Sequence, residues 1–142
     1  MFNIRQATFE DLPQLLMMGE QFVYHYGQFE YDEGTVLSML VNLVQNHTVL
    51  VADDDGKVVG MIGAMLVPNI WNKNKMLFQE MFWWVEEEYR GGSAGIRLLL
   101  ELHKRAPIGA KKVLSVLPNT NFKDKTLTKL GYKVTEMAYA KD

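Results

Sequence analysis

The sequence predicts a layered α/β (α+β) domain, and three observations predict it. Short apolar runs of strand character, Thr48–Ala52 and Lys57–Leu66, flank Asp54-Asp55-Gly56, a strong hairpin-turn signal. Two stretches of helical periodicity precede them. A dense apolar run, Met76–Val85, then leads through a glycine-rich turn into a further helical pattern.

Each element has its own warrant. Asn3–Thr8 alternates and reads as a first strand, and Thr8 is a good N-cap with Asp11 at the capping-carboxylate position. Leu12, Leu15, Leu16, Gly19, Phe22 and Val23 recur at helical spacing. A second amphipathic helix is expected from about 32 to 45, with Val36, Leu37, Leu40, Val41 and Val44 on one face. Pro68–Lys75 is polar and irregular apart from Ile70 and Trp71. Met76–Val85 reads as a mostly buried central strand. A helix over Ala94–Arg105 ends at Pro107 and Gly109. Lys112–Leu117 is an apolar strand, Asn119–Leu130 a short helix closed by Gly131, and Tyr132–Lys141 a last strand or hairpin.

Composition removes several classes. The 142 residues fit one domain, 1–142, with 48% hydrophobic and 23% charged residues. The absence of cysteine excludes disulfides, Cys–zinc sites and a thiol nucleophile. His47 and His103 lack metal-ligand spacing, and His103 is expected on the exposed face of its helix, so no metal is expected. Net charge is −2 with no Lys/Arg stripe, which disfavours nucleic acid. No segment reaches the ~20 apolar residues of a bilayer span, and Met1–Asp11 lacks a signal-peptide pattern. A cytoplasmic protein without a membrane partner is the expectation.

The sharpest feature is Tyr89-Arg90-Gly91-Gly92-Ser93-Ala94-Gly95-Ile96, where a buried strand turns through glycines into a helix N-terminus. Free amides and the helix dipole favour an anion there, glycines allow its close approach, and Arg90 can add a charge-assisted contact. The spacing is neither a nucleotide P-loop nor a dinucleotide fingerprint. A plain tight turn explains one glycine well, and three within five residues beside Arg90 less well.

This turn resembles the acetyl-CoA pyrophosphate loop of the GNAT N-acetyltransferase superfamily, Arg/Gln-x-x-Gly-x-Gly/Ala. Arg90 and Gly95 match its ends, and Ser93 stands where the middle glycine is usual. The resemblance extends along the chain: Ile4–Thr8 with Asp11-Leu12, Tyr89-Arg90-Gly91, Gly109–Val113 and Leu130-Gly131-Tyr132 fall in the family's order. It implies a mixed, mostly antiparallel sheet with helices on both faces. The fourth and fifth strands splay around the cofactor's pantetheine arm. Trp84 and Val85 would then offer backbone groups to that arm, and Arg90, Gly91, Gly92, Ser93, Ala94, Gly95 and Ile96 would hold the pyrophosphate. Asn119 or Asn121 would contact pantetheine, with helix capping as the alternative role.

The resemblance further implies acetyl transfer to a primary amine of a small molecule or protein. Many family members use a Glu of the fourth strand as general base. Glu80, beside Gln79, is the carboxylate inside that strand, and apolar surroundings would raise its pKa. Its alternative is a solvent-facing position or a pair with Lys73 or Lys75. The family's frequent acid, a Tyr four residues before the Leu-Gly-Tyr glycine, is Leu127 here, which leaves Tyr132, Tyr139 or water as proton source, or a thiolate that departs unaided. Leu127 and Ser93 also favour a second reading, a catalytically weak module binding CoA or a partner protein. Tyr24, His25, Tyr26, Phe29 and Tyr31 either border the acceptor site or pack under the helices. A homodimer is compatible with either reading.

Overall fold

The computed structural model describes residues 2–27, 29–117 and 124–142. Strands β1 (Asn3–Gln6), β2 (Thr48–Asp54), β3 (Lys57–Asn69), β4 (Asn72–Val85) and β5 (Lys111–Val113) form one sheet in the order β1-β2-β3-β4-β5. The first three pairings are antiparallel and β4–β5 is parallel. Helices α1 (Leu12–Tyr26) and α2 (Glu33–Asn46) cover one face, and α3 (Ala94–Arg105) covers the other with Leu127 of α4 (Asp124–Lys129).

Side-chain alternation sorts the core. On β2, Val49 and Val51 meet Leu15, Met18, Leu40 and Leu43 of α1 and α2, whereas Leu50 and Ala52 meet Leu98, Leu99 and Leu102 of α3. The β2–β3 turn is as the sequence predicts: Asp55 and Gly56 both take positive φ (50° and 91°), the type I′ requirement, and Asp53 accepts the Gly56 amide at 2.7 Å.

Three expectations are corrected. Pro68–Lys75 is not irregular, because β3 and β4 run on through it as one long hairpin whose tip is Ile70-Trp71. Paired backbone holds these polar residues extended although no apolar face marks them. β5 is three residues long rather than spanning Lys112–Leu117. Tyr132–Lys141 forms no strand, and residues 133–142 are exposed.

Thr8 and Asp11 cap the chain's entry into α1 as predicted, with Asp11 accepting the Thr8 amide at 2.8 Å. Arg5 donates to both Asp11 oxygens, at 2.8 and 2.9 Å, and to Asp53 at 2.9 Å. This ties β1 to the start of α1 and to β2. The Arg5 hydrogen bonds hold the Asp11 carboxyl below its ordinary range, against the opposing effect of burial. Asp11→Asn therefore lowers stability by about 1–3 kcal/mol in denaturant unfolding. Because the folded-state pKa is depressed, that contribution is present above pH ~4 and lost as pH falls through the folded value. The gap between wild type and variant should close in acid.

Residues Gly63 and Ala64 of β3 pair with Phe82 and Glu80, so Met81 is an extra residue, a β-bulge in β4. Phe78 packs on the α3 side, but Phe82 and Trp84 pack on the α1–α2 side and Trp83 and Val85 on the α3 side. The bulge thus reverses which face even-numbered residues serve. Gly63 makes room for it: a Cβ there would lie 2.5 Å from the Phe82 ring.

Candidate active site

Glu80 stands immediately before the bulge, two residues from Phe78 and so on the α3 face. Its neighbour Gln79 is the last β4 residue paired with β5, through Val113. Beyond that point β5 leaves β4, and the Glu80 carboxylate fills the opening, accepting the Ser115 amide at 3.0 Å. Neither Lys73 nor Lys75 pairs with it among the described residues. Glu80 lies deep in the protein, although part of its surface is open to the wedge. Desolvation pushes its pKa up to about 7, partly opposed by the Ser115 hydrogen bond. That value suits a group exchanging protons near neutrality.

A titratable pair adjoins it. Tyr132 Oη and His103 Nε2 are 2.5 Å apart, with ring centroids separated by 5.5 Å. Burial, then the Glu80 charge, raises the Tyr132 pKa, while burial, then Lys112, lowers that of His103. His103 is thus half-buried and engaged rather than exposed, which corrects the expectation for it. Its partner arrives through the end of α4. Gly131 takes φ 92°, turning the chain so that the Tyr132 amide bonds back to Leu127 O at 3.0 Å. Leu127 itself is buried against the α3-side core, so the position of the missing tyrosine is a packing position here. The signal that could have found the pair was the Leu-Gly-Tyr cap. The Ser115 amide carried no sequence signal.

The β4 edge beyond Gln79 has no strand partner on the β5 side among the described residues. The Glu86 amide bonds to Val59 O across β3, so by alternation Val85 turns its backbone groups toward the open edge as expected, whereas Trp84, expected beside it, turns its own toward β3 and Trp83 takes the edge position. Val85 O there accepts Arg90 Nε at 2.8 Å. The Arg90 guanidinium lies 4.3 Å above the Trp84 ring, which makes T-shaped contacts with Phe22 (5.9 Å) and His25 (5.7 Å). Trp84 Nε1–H is buried and finds no acceptor among the described residues.

The predicted turn divides by role. Gly91 takes φ 86°, which only glycine adopts readily. Gly92 and Gly95 have no such need, and a Cβ on Gly95 would sit in ordinary contact, 3.8–3.9 Å, with Trp83 and Val85. Ser93 O accepts the Arg97 amide at 3.0 Å as the first bond of α3, and the Ser93 side chain does not cap. The amides of Ala94, Gly95 and Ile96 precede the first intrahelical donor and are left for other partners. The Ala94 and Ile96 side chains pack inward, so only their backbone can serve a ligand. Asn119 and Asn121 lie outside the described residues.

The predicted aromatic segment resolves into parts. His25 meets Trp84, Tyr26 stacks between Phe22 and Phe29 (5.9 Å each), Tyr24 and Phe29 are exposed, and Tyr31 Oη donates to Leu16 O. Phe22, read from sequence only as one of the helically spaced apolar residues, meets Trp84 as well, beside His25. A surface depression lined by Asn3, Ile4, Arg97, Leu100, Glu101 and Lys104 shares no residue with the wedge.

Residues 45–134 match the model of the acetyltransferase (GNAT) domain. No curated protein matches the chain in sequence. Among solved structures, it resembles a predicted acetyltransferase from Clostridium acetobutylicum determined with acetyl-CoA, at 16% identity and TM-score 0.80, covering 100% of this chain and 96% of that one. AAC(6')-Iy, solved with the bisubstrate analog CoA-S-monomethyl-acetylneamine, gives 16% identity, TM-score 0.78 and coverage of 100% and 97%. The ribosomal-protein-alanine N-acetyltransferase of Brucella melitensis biovar Abortus 2308 gives 16%, 0.75, 100% and 99%. At these identities the structures establish the shared fold. The family-model match spans well over half the chain, which therefore belongs to the GNAT acetyltransferase family.

Proposed function

We propose that this protein transfers the acetyl group of acetyl-CoA directly to a primary amine of a small molecule or protein. The observation that carries the reading is the Glu80 carboxylate, pKa about 7, placed where β4 and β5 part. The open β4 edge leads from it to the helix terminus at residues 90–96. The residues fit the cofactor: the β4 edge beyond Gln79 has no strand partner on the β5 side among the described residues, the amides of Ala94, Gly95 and Ile96 await a pyrophosphate, and Gly95 has no packing reason to lack a side chain. Acetyl-CoA supplies an activated acyl group as thioester.

The chain's own groups account for the protons. Glu80 accepts a proton from the attacking amine as the C–N bond forms. As the C–S bond breaks, the sulfur takes a proton from the Tyr132 hydroxyl. Burial and the Glu80 charge keep that hydroxyl protonated across the neutral range. His103 positions the phenol through its Nε2. This assigns to Tyr132 the task that Leu127, buried in the core, cannot perform. The same Leu127 favours a second reading, a CoA-binding module without turnover.

Acetyl-CoA at ~100 times its Kd should stabilise the protein by roughly 2.7 kcal/mol. In thermal unfolding that corresponds to a rise of about 5–15 °C, with no rise from NAD or ATP. Released CoA can be followed with a thiol reagent across an amine panel, because the chain itself has no cysteine. Stabilisation with turnover supports the transferase. Stabilisation with no turnover on any amine supports the module. No stabilisation at millimolar acetyl-CoA sinks both.

A further inference from the structure

Two adjacent stretches of the chain each carry charge of a single sign. No Lys or Arg lies between Arg5 and Lys57, and no Asp or Glu between Asp55 and Glu80. The first stretch holds α1 and α2, and the second most of the β3–β4 hairpin. That hairpin outruns the sheet. Ala64 is the last β3 residue paired with β2, and Leu77 the first β4 residue paired with β5. At about 3.3 Å each, residues 65–69 carry the tip roughly 16 Å beyond β2. Ile70 and Trp71 form the tip, and each is 88% exposed. Lys73 and Lys75 follow and share one side of the ribbon by alternation. Edge lysines keep a ribbon from pairing with its neighbours, and polar residues suffice to turn it. Neither accounts for two large apolar groups at its farthest point.

The junction where α1 ends and α2 begins is the complement. Glu20 and Tyr24 sit one turn apart on α1, and Phe29, Glu30, Asp32 and Glu33 follow. Tyr24 and Phe29 are 74% and 72% exposed, and all four carboxylates are exposed. Three of them converge on Tyr31, whose pKa is raised by burial and then by the charges of Glu33, Glu20 and Asp32. Tyr31 Oη donates to Leu16 O and holds the junction against α1. Tip and junction do not meet within one chain. The junction reaches Trp84 through the Phe29–Tyr26–Phe22 stack. Trp84 stands roughly 40 Å along β4 from the tip.

We propose that the hairpin tip of one copy docks on the α1–α2 junction of a second copy, each giving one tip and one junction. A two-fold axis makes the second contact a repeat of the first, so the assembly closes as a dimer. Ile70 and Trp71 rest on Tyr24 and Phe29, with Lys73 and Lys75 against Glu20, Glu30 and Glu33. Each contact takes roughly 300–400 Å² from either side, and the two together roughly 1,200–1,600 Å², the size of a standard interface. Charge decides which surfaces meet, because tip on tip or junction on junction would set like charges together. The interface is independent of the chemistry of the wedge.

A reciprocal charge swap, read by sedimentation equilibrium, tests this. Wild type should dimerise in low salt and dissociate progressively as salt rises. One variant carries Lys73→Glu and Lys75→Glu, which makes tip and junction both acidic. The other carries Glu20→Lys, Glu30→Lys and Glu33→Lys, which makes both basic. Asp32 stays, because it caps α2 by accepting the Thr35 amide at 2.9 Å. Each variant alone should raise the dimer Kd by about 100-fold. Their mixture should form a heterodimer of near wild-type affinity, since both of its contacts are then complementary. Trp71→Ala should weaken self-association by about 30-fold with the thermal unfolding of the monomer unchanged, the side chain being exposed. A wild type that stays monomeric up to about 100 µM overturns the proposal. So does a dimer indifferent to Trp71→Ala, or a mixture of the two folded swap variants that fails to associate. Should a swap variant not fold, wild type and Trp71→Ala decide alone. A monomeric wild type whose Trp71 emission, taken by difference from Trp71→Phe, shifts on phosphatidylglycerol vesicles also overturns it, and assigns the tip to an anionic lipid surface.

Discussion

Glu80→Gln lowers turnover by about 10²–10⁴-fold while leaving acetyl-CoA affinity unchanged. The expectation rests on the carboxylate being the proton-accepting group in the wedge, with its pKa pushed up to about 7 by desolvation. Wild-type kcat/KM should rise with pH through that value, since the base works deprotonated, and the rise should vanish in the variant. Stability gives an independent check of sign. The folded-state pKa lies above the ordinary 4.5, so the fold's preference for protonated Glu80 is present in acid and lost as pH rises through 7. Glu80→Gln should consequently be more stable than wild type at pH 8, with the advantage fading below pH ~4.5. Equal activity in the variant would retire Glu80 as base and leave a water chain or the acceptor's own free amine.

Gly95→Val abolishes the acetyl-CoA thermal shift with little loss of fold. A Cβ at this position finds only ordinary contact with Trp83 and Val85. A β-branched side chain at the second residue of α3 would, however, stand in the path of a pyrophosphate approaching the Ala94–Ile96 amides. Gly91 makes the opposite comparison. Its φ of 86° is a demand of the chain itself, so a substitution there mixes strain with any ligand effect. A Gly95→Val protein that still gained stability from acetyl-CoA would place the pyrophosphate elsewhere.

The sequence carried different parts of this molecule with different clarity. The helices were plain because Leu12–Val23 and Val36–Val44 repeat at 3.6, and the hairpin at Asp55-Gly56 because its turn chemistry is strict. The distal half of the β3–β4 hairpin was not, since Asn72, Lys73, Asn74 and Lys75 are exposed and show no alternation. Glu80 was legible as a carboxylate in an apolar strand. Its orientation was not, because a bulge has no residue signature and decides the face of everything after it. The turn at 90–96 was legible as a glycine-rich entry into a helix, but Arg90 lying back over Trp84 was not, since nothing in a linear motif fixes where a long side chain rests. The Tyr132–His103 contact joins α4 to α3 across 29 positions and depends on the Gly131 cap, so periodicity within either helix cannot reveal it.

The extra residue at Met81 has a consequence for how this protein can vary. Substitutions along β4 replace one chemical group at a time and leave the others where they are. Gain or loss of a single residue near position 81 would instead exchange the faces served by everything beyond it, sending Phe82 and Trp84 toward α3 and Trp83 and Val85 toward α1 and α2. The sheet could still pair. The placement of Glu80 relative to the Trp84–Arg90 corner is thus fixed by a residue count rather than by side-chain identity. Among descendants of this chain, the length of the segment from Gly63 to Arg90 should be under tighter selection than most of the letters in it.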